Sequence, residues 1–197
     1  MNAVHKSFAS DLLVPGTSGA FPFLLIIGPY AASNAMLASA ARLALLAPLR
    51  VVDGGNRFNA RTVARILREL NAPDLYAALS RIRLARAFTC YQLLALLEET
   101  LPSSDPTLVI DLLDTFYDES ASLSERRRLI ENCLLRLRNL SRLAPVVVSV
   151  RPPAPEQSDP TGLLEMVQQA ADLLWFQEGA PETNKAKQPS KSQLNLF

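Results

Sequence analysis

The sequence is poor in the residues that build metal sites and disulfide frameworks. It contains one histidine, His5, and two cysteines, Cys90 and Cys133, which fall in separate helical patterns. A single histidine near a chain end cannot found a metal site, and cysteines without a paired framework are typical of a reducing compartment. We therefore expect a cytoplasmic protein without a bound metal.

Net charge and long apolar runs are also missing. The 20 basic and 19 acidic residues leave a formal net charge of +1, so any contact with DNA must come from a local patch. The Ala- and Leu-rich run at residues 35–49 contains Arg42 and Pro48 and is shorter than the about 20 apolar residues of a membrane span. The first six residues lack an apolar stretch behind their charge, so we expect no signal peptide and no membrane partner.

The 197 residues alternate apolar strand patterns with helical patterns, which predicts an α/β fold with a mostly parallel sheet flanked by helices. Strands are expected near residues 22–27, 49–53, 81–88, 107–111, 145–150 and 173–176. We divide the chain into an N-terminal arm (1–20), an α/β domain (21–178), a polar linker (179–192) and an apolar terminal peptide (193–197). The linker composition, rich in Pro, Lys, Gln and Ser, predicts disorder.

The chain is organised around residues 23–35, which form a strand pattern, a glycine turn and a helix start. A phosphate-binding loop, G-x-x-x-x-G-K-S/T, would lie at this position. Counting from Gly28, its second glycine falls on Ser33, its lysine on Asn34 and its hydroxyl on Ala35. We favour an ordinary strand-to-helix turn over a nucleotide site, with weak anion binding at the helix start as the alternative.

Charged residues suggest two further sites. Asp111 ends a buried strand and is followed by Asp114, Asp118 and Glu119, for which we favour a solvated acidic loop over a Mg²⁺ site. The helix that begins at the capping box of residues 122–125 carries three consecutive arginines: Arg126, Arg127 and Arg128. We favour a face that is only solvated, with contact to DNA or to a partner protein as the alternative.

Two other patterns are read as structural. Basic and apolar residues alternate at 81–88, which predicts a strand with one polar face. As an alternative, Arg81, Arg83 and Arg86 form ion pairs with acidic residues at a subunit contact. Trp175 and Phe176 are expected in the core.

Several stretches resemble the RecA/RadA recombinase family. They are the strand before Gly28, the V-V-D-G-G turn at 51–55, A-R-A-F-T-C-Y-Q-L-L at 85–94, L-V-I-D at 108–111 and V-V-V-S-V at 146–150. Their order and spacing cover about residues 20–177. The run at 85–94 is the most specific of them.

In that family, the resemblance implies ATP and Mg²⁺ binding by a P-loop lysine and hydroxyl, a catalytic glutamate after the second strand, and an aspartate at the end of the Walker B strand. Asp111 alone matches this set, because Asn34, Ala35 and Gly55 replace the lysine, the hydroxyl and the glutamate. We expect a degenerate nucleotide site, with no catalytic residue and no ATP or Mg²⁺ cofactor. Its residues are Gly28, Ser33, Asn34, Ala35 and Asp111.

The last five residues resemble the bacterial sliding-clamp-binding pentapeptide Q-L-x-L-F: Gln193, Leu194, Asn195, Leu196 and Phe197. Leu196 and Phe197 supply apolar anchors for a pocket, and the Gln193 amide can hydrogen-bond at its rim. A frayed terminus is the alternative. The preceding linker would act as a tether.

Together these features look most like the ImuA class of RecA-like accessory proteins, which work beside error-prone translesion polymerases. In that class the clamp peptide is usually found on the polymerase-like partner, so its presence is a departure. The resemblance implies a non-catalytic adaptor in bacterial DNA damage tolerance and the SOS response, with the clamp and a translesion polymerase or RecA as partners and weak direct DNA binding. A regulatory nucleotide-binding ATPase and a recombination mediator are the alternatives.

Overall fold

The structure is a computed structural model that describes residues 21–29, 34–117, 121–153 and 162–177. In these residues a six-stranded sheet has the order β3-β2-β4-β5-β1-β6, and every neighbouring pair is parallel. This confirms the predicted α/β class with a parallel sheet flanked by helices. The strands are β1 (Phe23–Ile27), β2 (Leu49–Asp53), β3 (Ile82–Arg86), β4 (Thr107–Ile110), β5 (Val146–Val150) and β6 (Leu173–Phe176). The helices are α1 (Asn34–Leu46), α2 (Ala60–Glu69), α3 (Leu75–Ser80), α4 (Cys90–Glu99), α5 (Leu123–Ser141) and α6 (Leu163–Ala170), with a 3₁₀ turn at Asp114–Phe116.

Three strands in the interior of the sheet, β1, β4 and β5, are mostly apolar because both faces of the sheet are covered. Every residue of β1, β4 and β5 is buried. Such continuous runs are the signature of strands in the middle of a parallel sheet, where no side chain faces water. The burial of these strands is therefore in keeping with their place in the interior of the sheet.

Helices cover the two faces in separate groups. Connections that run toward β3 lay α1, α2 and α3 on one face, where Leu24 of β1 packs with Met36 and Val63. Connections that run back toward β6 lay α4, α5 and α6 on the other face, where Leu25 packs in a cluster with Leu137. This segregation follows from right-handed crossovers, which place the helix on opposite faces for opposite directions of travel.

Polar side chains fix where four of the helices begin. Each accepts a hydrogen bond from a backbone N–H of the first turn: Asn59, Asp74, Thr89 and Ser122. These contacts satisfy N–H groups that have no partner inside the helix. The bond from the Glu125 N–H to Ser122 Oγ confirms the serine half of the predicted capping box.

β3 does not have the single polar face that the alternation at 81–88 predicts. Side chains alternate along a strand, so Arg83 lies on one face and Arg86 on the other, together with Ile82. The prediction was wrong because the spacing between basic residues changes from two to three after Arg83. Arg86 instead donates from Nε to Asp53 Oδ2 at 3.4 Å.

Of the two aromatic residues expected in the core, one is exposed. Trp175 packs against the cluster of α1–α3, but 40% of Phe176 is exposed. Phe176 ends β6, an edge strand, so its side chain has sheet neighbours on one side only. The core prediction for Phe176 is therefore wrong.

Three predicted segments lie outside the described residues. They are the arm at 1–20, the linker at 179–192 and the terminal peptide at 193–197. Their assignments stay predictions from sequence.

The two cysteines give a test of the core. Cys90 and Cys133 are 1% and 0% exposed, and burial raises the pKa of the Cys133 thiol, with smaller contributions from Cys90 and Glu98. We expect neither thiol to react with Ellman's reagent in the folded protein at about pH 8.5, where an exposed cysteine ionises, and both to react in urea. A Leu135→Cys variant is the positive control, because Leu135 is 60% exposed. Stoichiometric reaction of the folded wild type at the rate of that control would contradict the packing.

Candidate functional site

The carboxyl ends of β2 and β4 lie side by side, and the chain leaves them toward opposite faces of the sheet. After β2 it continues into α2 on one face, and after β4 into α5 on the other. Parallel α/β sheets bind ligands in the crevice that such a reversal opens. Asp53 ends β2 and Asp111 follows β4, so two buried carboxylates lie at this point.

Asp53 holds the turn that follows its own strand. Its Oδ1 accepts the backbone N–H of Arg57 and its Oδ2 that of Phe58, each at 2.9 Å. Arg86 Nε donates to the same Oδ2 at 3.4 Å. A fully buried carboxylate with three donors has its charge balanced locally. We assign Asp53 a structural role in shaping residues 54–58.

Asp111 is the most constrained residue of the site. Its φ of 56° lies in the left-handed region, which Asp adopts more readily than most residues. It is 1% exposed, and its N–H donates to Ser149 Oγ at 3.1 Å. Its Oδ2 accepts from Arg57 Nε at 2.8 Å and from Arg151 Nε at 2.7 Å. One carboxylate oxygen thus joins residues that follow β2, β4 and β5.

Arg151 extends this cluster to a second acid. Its Nη2 donates to Asp114 Oδ1, in the 3₁₀ turn that follows Asp111. The guanidinium groups of Arg57 and Arg151 bring positive charge to the cluster, and their side chains are 40% and 31% exposed. A cation approaching Asp111 Oδ2 would have to displace both of them. We call Arg57, Asp111, Asp114 and Arg151 the arginine–aspartate cluster.

The acidic residues after β4 therefore do not form the solvated loop expected from the sequence. Asp111 is buried and Asp114 is half-buried in an ion pair. The expectation was wrong for these two because arginines from distant parts of the chain converge on them. Asp118 and Glu119 lie outside the described residues.

The glycine at the position of the expected catalytic glutamate has a steric reason. A Cβ on Gly55 would lie 2.6 Å from Asp111 Oδ2 and 2.8 Å from Asp111 Cβ. On Gly54 it would lie 2.9 Å from the Asp111 carbonyl oxygen. The turn after β2 is packed against Asp111, and this backbone position leaves no room for a side chain.

The turn after β1 lies at the same end of the sheet. The Gly28 N–H donates to the Val150 carbonyl at 3.2 Å, and a Cβ on Gly28 would lie 2.7 Å from Gln177 Oε1. Asn34 and Ala35 begin α1, and the Ala35 carbonyl accepts from Ser39 Oγ at 2.9 Å. Ser33 lies outside the described residues. Gly28 and Asp111 thus share one end of the sheet, separated by β5.

The arginine group at the start of α5 has local partners. Arg126 is half-buried and donates from Nε to the Ala121 carbonyl at 2.7 Å. Arg128 pairs with Glu125 at 2.7 Å, and this hydrogen bond lowers the pKa of the Glu125 carboxyl. Arg127 is exposed. Arg126 is thus committed to the helix start, which leaves Arg127 and Arg128 as the exposed members of the group.

Comparison with protein-family models and with curated proteins finds no match. The residues that give this site its character are thus known from the geometry alone.

Within residues 21–29, 34–117, 121–153 and 162–177, no three His, Cys, Asp or Glu side chains are grouped so as to hold a metal ion. In the same ranges, no helix has the length and apolar character that crossing a membrane requires.

Sequence reasoning identified Asp111 but missed both of its partners, Arg57 and Arg151. The available signal was positional, because each arginine lies shortly after a predicted strand. In a parallel sheet the carboxyl ends of all strands meet at one edge, so charged residues just beyond them are brought together. The strand order that makes β5 the neighbour of β4 was not available from the sequence.

The arginine–aspartate cluster predicts an order of stabilities. Replacing Arg57 and Arg151 together by Gln leaves the Asp111 carboxylate buried without a counter-charge. We expect this double variant to lose about 3 kcal/mol of unfolding free energy. This is the lower end of the cost of breaking a buried ion pair, because both arginines are partly exposed. Asp111→Asn should cost less, because Asn tolerates the left-handed conformation and the freed arginines reach water. Urea unfolding measures both. A loss for Asp111→Asn that equals or exceeds that of the double variant would contradict the assignment.

The close packing of Gly55 gives a second prediction. Gly55→Ala should lower the unfolding free energy by about 1–3 kcal/mol, because the new methyl group overlaps Asp111. The φ of Gly55 is not in the positive region, so the backbone itself accepts alanine. The cost should shrink in an Asp111→Gly background, which removes the overlapping atoms. An equal cost in both backgrounds would assign the effect to something other than this contact.

Proposed function

We propose that this protein is a non-catalytic adaptor with a RecA-like core in bacterial DNA damage tolerance. Its terminal pentapeptide binds the DNA polymerase sliding clamp, and its globular domain binds a translesion polymerase-like protein or RecA. The cytoplasm is the compartment in which these partners are found.

The proposal that the protein is not catalytic rests on the two ion pairs of Asp111. In the resemblance to RecA/RadA proteins, this residue stands where the Walker B aspartate serves Mg²⁺. Here Asp111 Oδ2 faces two guanidinium groups at 2.7 and 2.8 Å. Carboxylates hold Mg²⁺ through free oxygen lone pairs and together with phosphate oxygens. The internal positive charges replace the cation, which supports a site kept for architecture.

The arrangement of the strands supports a RecA-like core. Gly28 follows β1 and Asp111 follows β4, at the same end of the sheet and with one strand, β5, between them. A phosphate loop and a Walker B aspartate would need this relation to reach one nucleotide. The chemistry of the loop is missing, because Asn34 and Ala35 stand at the positions of its lysine and hydroxyl.

The adaptor part rests on the chain end. Residues 193–197 carry two apolar anchors at the spacing of the clamp-binding peptide. The 14 linker residues at 179–192 would span about 20 Å as a flexible chain. A tether of this length lets the peptide reach a pocket on the clamp while the globular domain holds another protein.

Clamp binding is tested with the full-length protein and purified bacterial sliding clamp in a calorimetric titration. Truncation after Ser192, or joint replacement of Leu196 and Phe197 by Ala, should weaken binding by about 100-fold or more, because these side chains are the anchors. Asn195→Ala is the matched control and should bind like the wild type, because the motif accepts any residue there. Equal affinity of the full-length and truncated proteins would end the clamp proposal.

A regulatory nucleotide-binding ATPase is the second candidate, and one observation favours it. The crevice between β2 and β4 is where α/β sheets bind ligands, and it contains two buried carboxylates. Calorimetry with ATP and Mg²⁺ separates the two functions. We expect neither binding heat nor phosphate release from the wild type. Turnover that disappears in an Asp111→Ala variant would overturn the non-catalytic reading.

A further inference from the structure

β3 is the last strand of the sheet, and within the part of the chain that the structure describes no strand lies beyond it. The Leu49 N–H donates to the Arg81 carbonyl at 2.9 Å, and the Ala87 N–H donates to the Asp53 carbonyl at 3.1 Å. The odd-numbered residues of this segment therefore turn their backbone groups toward β2. The even-numbered residues turn theirs outward: Ile82, Leu84 and Arg86.

The edge is regular enough to accept another strand. Its register with β2 runs without interruption from the Leu49–Ile82 pair to the Asp53–Arg86 pair. Proteins that protect an edge use a proline, a bulge or a covering element. β3 contains neither a proline nor a bulge. Its outward N–H and C=O groups are a template for strand addition.

Large apolar side chains are exposed along this edge and at its carboxyl end. Leu84, in the middle of β3, is 39% exposed. Phe88 and Tyr91 follow the strand and are 66% and 49% exposed. Neighbouring exposed apolar residues mark interaction sites. A strand laid along β3 would cover Leu84, and its continuation would reach Phe88.

The segment of chain that contains this edge is rich in arginine, of which Arg50, Arg57, Arg65 and Arg86 are ion-paired. Residues 49–91 contain eight arginines against three acidic residues. Those acids are already engaged: Asp53 in the turn after β2, Glu69 with Arg65, and Asp74 as the cap of α3. Arg83 is exposed on β3 and has no ion pair with any residue that the structure describes. Its charge is available to an acidic partner.

We propose that β3 binds an extended segment of a partner protein as an additional strand of the sheet. The segment carries an acidic side chain opposite Arg83 and apolar side chains opposite Ile82 and Leu84. Cross-strand pairs lie on the same face, so this pattern reads apolar–acidic–apolar along the partner. Backbone hydrogen bonds provide affinity, and the alternating side chains provide specificity.

The strand-addition proposal specifies how the proposed adaptor would bind its second partner. It rests on the adaptor function only in assuming that such a second partner exists. The geometry of β3 does not involve the clamp peptide or the crevice. Protein truncated after Ser192 should bind the segment as the full chain does. Failure of clamp binding and failure of strand addition are therefore separate results.

The test uses the full-length protein and a fluorescein-labelled peptide that alternates valine with aspartate and glutamate. A matched peptide has lysine at the acidic positions. We expect the acidic peptide to bind at least about tenfold more tightly in fluorescence anisotropy. Equal binding of the two peptides would overturn the charge assignment, and no binding of either would overturn the proposal.

Two variants test separately the contributions of backbone hydrogen bonds and of the Arg83 charge to peptide binding. Leu84→Pro removes an outward N–H while the ladder to β2 stays complete, so it should lower affinity about tenfold or more with the fold kept, as circular dichroism checks. Arg83→Glu should lower affinity for the acidic peptide and raise it for the lysine peptide. Arg142→Glu, an exposed arginine at the end of α5, is the matched control. Unchanged affinity in Leu84→Pro would overturn strand addition.

Hydrogen exchange on the wild type gives a readout that needs no variant. The Leu84 and Arg86 amides should exchange fast in the free protein and slowly with the acidic peptide bound, whereas the Arg83 and Ala85 amides are slow in both. No change at Leu84 would contradict the proposal.

Two other occupants would also overturn it. One is a second copy of this chain, shown by a dimer in sedimentation that Leu84→Pro abolishes. The other is single-stranded DNA, shown by oligothymidylate binding that Arg83→Glu abolishes and Leu84→Pro leaves intact.

Discussion

A parallel sheet must be covered on both faces, and the rest of this structure depends on that constraint. Strands whose residues are all buried, such as β1 and β5, have no face in contact with water. With right-handed crossovers, helices reach both faces only if the chain moves in both directions along the sheet. The chain accordingly travels from β1 to β3 and then back to β6. This reversal makes β2 and β4 neighbours and opens the crevice at their carboxyl ends.

The arginine–aspartate cluster shows how this crevice is used. A buried carboxylate at such a place needs a positive charge, which in a nucleotide-binding protein comes from a metal ion and its surroundings. In this chain the positive charge comes from Arg57 and Arg151. Buried ion pairs add little net stability relative to apolar packing, but breaking one is costly. The cluster therefore fixes the relative positions of the segments after β2, β4 and β5, and Gly55 is small because Asp111 fills the adjacent space.

The two edges of the sheet differ in what surrounds them. β6 is the edge strand after which, in the sequence, the polar linker and the terminal peptide follow. β3 lies at the opposite edge of the sheet and carries an exposed arginine, Arg83. An adaptor needs two binding features that do not obstruct each other. The strand order provides this separation, because β3 and β6, the last strand before the tail in sequence, are the two opposite edges of the sheet.

The sequence by itself determined the elements of this protein. Apolar runs located β1, β2, β5 and β6, polar caps such as Ser122 located helix starts, and the missing lysine at Asn34 was visible from spacing alone. These are local properties, set by burial pattern and by backbone groups that need partners. The assignment of residues 193–197 also rests on sequence alone.

The tertiary structure decided which distant residues meet. Arg57 and Arg151 reach Asp111 across 54 and 40 positions of the chain because β2, β4 and β5 are adjacent, and local pattern carries no information on strand order. It also decided that Phe176 is exposed and that Arg86 turns toward Asp53, since both depend on the position of a strand at an edge. The physical reason is that periodicity specifies which side of an element is apolar, whereas the neighbour that covers it is chosen by the packing of the whole sheet.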